Sequence, residues 1–116
     1  METYADILTK LATQRKTVRK FKRDIPSNED IESVLETACQ APSGSNCQPW
    51  RFLIIDDPAV KTRVRQTAEA GEKVFYESIS EEGKNKYKDM GNSWKKPMLE
   101  QAPVLIAVVS GMNSPN

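Results

Sequence analysis

Val104-Leu105-Ile106-Ala107-Val108-Val109 is the most apolar run in this chain, and it limits what the rest can build around it. Such a run reads as a central strand buried on both faces. Phe52-Leu53-Ile54-Ile55 reads as a second buried strand. Helices are predicted around them. Tyr4, Ile7, Leu8 and Leu11 recur at helical spacing within residues 3–12, and Ile31, Val34, Leu35 and Ala38 form one stripe that should face a core. Ser27 is placed to cap that second helix, with Glu29 and Asp30 in its first turn. Asp56-Asp57-Pro58 starts a third helix, with Val60, Val64 and Ala68 on one face and Gly71 loosening the run. Trp94 to Gln101 reads as a short amphipathic helix closed by Ala102-Pro103, and a polar, turn-rich tail follows Val109. Helix, helix, strand, helix, polar excursion, helix, strand is an α+β or mixed α/β order.

The totals narrow the chemistry. No composition break divides the 116 residues, so one domain is expected. Only 38% are hydrophobic, which argues against a large private core. A net charge of +1 gives no support for a nucleic-acid partner. Met1 opens onto a polar amphipathic run, so neither a signal peptide nor a membrane span is expected. Two cysteines are too few for a disulfide scaffold, which makes a cytoplasmic setting the default. The chain has no histidine. That removes Ser–His and Cys–His nucleophiles and histidine metal sites together. No metal site and no catalytic side chain are assigned; the chemistry is expected from a bound organic cofactor.

Three stretches are candidates to hold ligands. The first is Ala41-Pro42-Ser43-Gly44-Ser45-Asn46-Cys47-Gln48-Pro49-Trp50, between the second helix and the first strand. It is longer than most such connections, stiffened by Pro42 and Pro49 and supplied with short polar groups. It reads either as a rigid loop holding a polar aromatic ligand or as an ordinary surface loop. Cys47 is taken as a packing residue, since no histidine is present to activate it. The second is the basic run of Arg15, Lys16, Arg19, Lys20, Lys22 and Arg23, six cations within nine positions. It suits a solvated face, a phosphate cradle completed by the Thr17 hydroxyl, or a nucleic acid. The third runs from Glu72 to Ser93, polar and rich in lysine and glutamate. It is either a segment that folds over a ligand or a solvent-exposed helical excursion.

Ala-Pro-Ser-Gly-Ser-Asn-x-Gln-Pro-Trp, preceded by Arg15-Lys16-Thr17-Val18-Arg19, resembles the paired signature of the nitroreductase superfamily of FMN enzymes. Thr17 keeps the hydroxyl of the commoner serine, and Lys16 keeps the charge of the commoner arginine. The resemblance implies a nitroreductase-like fold, a central sheet flanked by helices, in a domain-swapped homodimer with FMN at the subunit interface. It implies that Arg15, Lys16 and Thr17 face the FMN phosphate and ribityl chain and that Arg19 reaches the pyrimidine edge. Pro42, Ser43 and Gly44 would lie against the isoalloxazine from the other subunit, and Asn46 would also bind the cofactor. Superfamily members continue well beyond the Val104–Val109 strand, so residues 1–116 are expected to be the N-terminal portion of one such domain. The group contacting flavin N5 is expected beyond residue 116.

Glu72 and Tyr76, four apart on one helical face, with Lys96 beyond Trp94, resemble the lid of the iodotyrosine deiodinase branch of that superfamily. The lid segment would run over about residues 71–96. By that resemblance Glu72 pairs with a substrate ammonium, Lys96 with its carboxylate and Tyr76 with either. The Ser45 backbone N–H would donate to the substrate phenolate. Each of these residues, taken alone, also suits a plain surface charge or a packed aromatic. The activity implied is FMN-dependent reductive dehalogenation of halotyrosines, with NAD(P)H or a reductase as electron donor. The alternatives are a general NAD(P)H nitro- or quinone reductase and a non-catalytic flavin- or ligand-binding protein.

Overall fold

The computed structural model describes residues 1–111. The polar tail expected at the end of the chain lies, from residue 112 on, outside the described residues.

Helix starts follow from capping chemistry. Helix α1 spans Tyr4–Gln14. Thr3 Oγ1 accepts from the Asp6 N–H at 3.1 Å and the Asp6 carboxylate accepts from the Thr3 N–H at 2.9 Å, a reciprocal cap. The Thr3 backbone N–H, with the Thr3 hydroxyl adding to it, holds the Asp6 carboxyl below its ordinary range. Helix α2, Asn28–Ala38, starts at Ser27, whose Oγ accepts from the Asp30 N–H. Helix α3, Pro58–Ser78, has Pro58 in its first turn and Asp57 accepting from the Ala59 N–H. It continues unbroken through Gly71. Ser80 then caps α4, Glu81–Asp89, so the polar excursion consists of the end of α3 and a second helix. Helix α5 is only Met98–Gln101, shorter than the Trp94–Gln101 helix expected, because Pro97 fixes the backbone where it begins.

Strands β1, Trp50–Ile55, and β2, Leu105–Ser110, pair antiparallel with Phe52 opposite Val108 and Ile54 opposite Ile106. Both were expected to be buried, β2 on both faces. Neither is. Leu53, Ile54 and Val108 are exposed, because no described element covers either face of the ribbon throughout. The stripe on α2 meets the same fate: Ile31 and Leu35 are half-buried and Val34 is exposed.

Among the described residues only Ala102 and Lys61 are buried. The Cα radius of gyration is 18.1 Å, against about 13 Å for a compact chain of this length. The accessible surface is 9831 Å², roughly half as much again as the ~6,400 Å² of a compact monomer of this mass. The described residues thus build no large private core, in keeping with the composition. No helix among the described residues is long and apolar enough to cross a membrane.

Candidate functional site

A run of side-chain contacts between elements lies along one face of α3. Lys61, Arg65, Glu69, Glu72 and Tyr76 recur at spacings of four, four, three and four, so their side chains stack up one side of the helix. Lys61 Nζ donates to the carbonyl of Ala102 at 2.9 Å, with the Glu100 and Pro103 carbonyls at 3.3 and 3.5 Å. An ammonium thus closes the C-terminal end of α5, where carbonyls lack helical partners. One turn along, Arg65 Nε reaches both Glu69 oxygens, at 3.1 and 3.2 Å, and Nη1 reaches Glu100 Oε2 at 3.3 Å. Glu69 Oε2 accepts from the Lys96 N–H at 2.8 Å. That backbone donor is the main reason the Glu69 carboxyl sits below its ordinary range, with Arg65 adding to it and burial opposing. Pairing with Glu69 in turn raises the Arg65 guanidinium.

The next rung carries the residues matched to substrate recognition. Glu72 Oε2 accepts a 2.7 Å hydrogen bond from the Tyr87 hydroxyl of α4 and lies 3.9 Å from Lys96 Nζ. The Glu72 bond raises the Tyr87 hydroxyl above its ordinary range. Lys96 Nζ also donates to the Ser93 carbonyl at 3.1 Å.

Glu72 and Lys96 share a cavity of about 640 Å³ with Thr17 and Arg19 of the basic run. Gly71, Met98 and Leu99 add an apolar wall, and a Cβ built on Gly71 would meet nothing within 4 Å. So four residues from distant parts of the sequence, two matched to the cofactor and two to the substrate, border one space. The others do not line it. Arg15 and Lys16 are exposed on the extended stretch after α1. Tyr76 stands one turn further along α3, its ring 6.0 Å from that of Tyr87, with Lys84 Nζ 5.6 Å from its centroid. Pro42, Ser43, Gly44, Ser45 and Asn46 lie apart from this cavity in the single chain.

The loop is nonetheless shaped. Ser43 Oγ accepts from the Gln48 N–H at 3.0 Å, closing it on itself. Ser45, Asn46 and Gln48 have φ of 54°, 53° and 48°, left-handed values that asparagine tolerates but that cost Ser45 and Gln48 about 1–2 kcal/mol each. Strain of that kind collects at ligand clamps more than at idle surface turns. Cys47, expected to pack, is exposed.

Lys61, Arg65, Glu69 and Tyr87 escaped the sequence reading. Arg65 and Glu69 do carry a signal, an i,i+4 pair of opposite charge, but such pairs are common on solvated helices. Nothing local marks Lys61 as buried.

A sequence model described as Nitroreductase family matches residues 12–115. An iodotyrosine deiodinase of Thermotoga neapolitana is 43% identical over 109 residues, which are 94% of this chain and 59% of the relative. One from Haliscomenobacter hydrossis is 42% identical over 95 residues, 81% of this chain and 43% of the relative. The chain thus spans less than two thirds of the length of these relatives. A crystal structure of oxidized iodotyrosine deiodinase bound to FMN and 3-iodo-L-tyrosine superposes with a TM-score of 0.81 at 45% identity, covering 89% of this chain and 56% of that one. A BluB-like flavoprotein from Clostridium difficile superposes with a TM-score of 0.70 at 27% identity, over 93% of this chain and 50% of that one. From its paired motifs, its helices with a small antiparallel ribbon and the match over nearly all its length, the chain belongs to the nitroreductase family.

Proposed function

We propose that this protein is an FMN-dependent oxidoreductase that reductively dehalogenates halotyrosines such as iodotyrosine. One observation carries the reading: an opposed carboxylate and ammonium, Glu72 and Lys96, border the same cavity as Thr17 and Arg19. Opposite charges at that separation match the two ends of an amino-acid zwitterion. A substrate ammonium would take Lys96's place at Glu72 while its carboxylate takes Lys96, and the Tyr76 hydroxyl is within one helical turn to assist either.

The residues present suit FMN. Arg15, Lys16 and Thr17 bring charge and a hydroxyl to a phosphate and ribityl chain, and Arg19 brings a cation to the pyrimidine edge. The Met98 and Leu99 wall, with Gly71 beside it, leaves room for a flat ring. Pro42, Ser43, Gly44 and Asn46 would complete the ring site from a second copy, with the Ser45 N–H toward the substrate phenolate. Bound FMN, once reduced by the electron donor, would supply the electron pair that with a proton replaces a carbon–halogen bond by carbon–hydrogen, releasing halide and tyrosine. Around it the chain's own residues bind the zwitterion, orient the ring and exclude water as residues 71–96 close.

The reading includes a homodimer in the cytoplasm, with NAD(P)H or a reductase as donor. The large uncovered surface and the exposed apolar side chains of α1, such as Tyr4, Leu8 and Leu11, support the second copy.

The test is the visible spectrum of the full-length protein loaded with FMN and titrated with 3-iodo-L-tyrosine. A saturable spectral change and halide release are expected. Nitroaromatic turnover without saturable iodotyrosine binding would favour a general reductase instead. Protein that takes up no flavin would leave only ligand binding of another kind.

A further inference from the structure

Lys96 sits in the irregular stretch between α4 and α5, where a side chain has no regular backbone to hold it. Yet its main chain is tethered. Glu69 takes the Lys96 N–H on Oε2 at 2.8 Å, and both Glu69 oxygens are gripped by Arg65 Nε. Arg65 is itself tied to Glu100 on α5, and Lys61 ties the far end of α5 to the same helix face. The Glu69 side chain is only 17% exposed, so water competes poorly for these bonds. A charged acceptor held on one side by a guanidinium N–H that is itself anchored to a second carboxylate is restricted in rotamer, and a restricted acceptor restricts its donor.

We propose that Glu69 is a positioning residue for substrate recognition: by anchoring the Lys96 backbone to α3 it aims the Lys96 ammonium at the substrate carboxylate. The inference rests on the halotyrosine reading above. Glu69 touches neither substrate nor cofactor in this scheme; it acts through Lys96. Two features separate this from a plain helix staple. The tether ends on the backbone of the recognition residue itself, and Glu69 lies three residues before Glu72 on α3. The two charge readers are therefore held to one helix, and their separation is set by it.

The test uses the full-length, FMN-loaded protein and two ligands, 3-iodo-L-tyrosine and 3-iodotyramine, which keeps the ring and the ammonium but lacks the carboxylate. In Glu69→Ala the dissociation constant for iodotyrosine should rise about tenfold, as expected for losing a charge-assisted hydrogen bond. That for iodotyramine should change less than about twofold, and flavin content should be unaltered. Glu69→Gln, which keeps an oxygen at the same place, should restore most of the discrimination. Equal losses for both ligands, or none for either, in a protein whose wild type binds iodotyrosine would overturn the positioning role alone. Failure of the wild type itself to bind iodotyrosine would remove the functional reading and this inference with it. If Glu69→Ala does not load flavin, Arg65→Met decides. It leaves the acceptor but frees its rotamer, and a selective loss for iodotyrosine of about threefold is expected. No selective loss there would overturn the proposal.

Discussion

Tyr87 donates its hydroxyl to Glu72 at 2.7 Å across fifteen residues of sequence, tying α4 to the helix that carries the candidate partner of the substrate ammonium. The Tyr87 ring also meets Phe75 edge-on, with centroids 6.3 Å apart. A polar bond and an aromatic contact thus fold the excursion back on α3. Tyr87→Phe removes the bond and keeps the ring. It should cost about 0.5–1.5 kcal/mol, read as a lower denaturation midpoint of the full-length protein. An unchanged midpoint would mean that α4 is held by the rings alone.

The same bond has a pH signature. Tyr87 titrates above its ordinary range because Glu72 favours the protonated hydroxyl. Its contribution is then complete below the ordinary tyrosine range and lost as pH rises through the raised value. Ultraviolet titration of phenolate should show one tyrosine ionising late in the wild type and missing from Tyr87→Phe.

Glu69 works on the acid side. Its carboxyl is depressed by the Lys96 N–H and Arg65, so its contribution is present above the ordinary carboxylate range and fades as pH falls through the depressed value. Melting temperature against pH should separate wild type from Glu69→Gln at neutral pH, and the two curves should converge in acid. Parallel curves would deny the charge a role.

Lys61 is the single buried charged residue among those described, and three carbonyls receive it. Lys61→Met should destabilise by about 1–3 kcal/mol, because the α5 carbonyls lose a charged donor in a place that water reaches poorly. Denaturant unfolding of the full-length protein reads this. Arg65→Met and Lys61→Met should couple rather than add, since both hold α5.

Charge reversal bears on recognition. Glu72→Lys or Lys96→Glu should weaken 3-iodo-L-tyrosine binding by about 10- to 100-fold, the scale of placing like charges against the ligand's ends. Flavin content should stay intact, since these positions are matched to the substrate. Loss of flavin in either variant would move the residue to the cofactor side of the cavity.

Much of this protein is decided within a few residues at a time. Ser27, Asp57 and Pro58 announce helix starts because a cap is a contact between near neighbours, and the structure places α2 and α3 where they predict. The pairing of Arg15–Arg19 with the proline-bracketed loop likewise needs only the linear text, and with it the family. Tertiary structure alone decided that Thr17 and Arg19 border one cavity with Glu72 and Lys96, and that Lys61, Arg65 and Glu69 form a ladder to α5. Those contacts span dozens of residues and depend on where Pro97 starts α5. Burial also went beyond local rules: Val34, Leu53 and Val108 read as core, yet apolar side chains are buried only where another surface arrives to cover them, and no described residue covers these three.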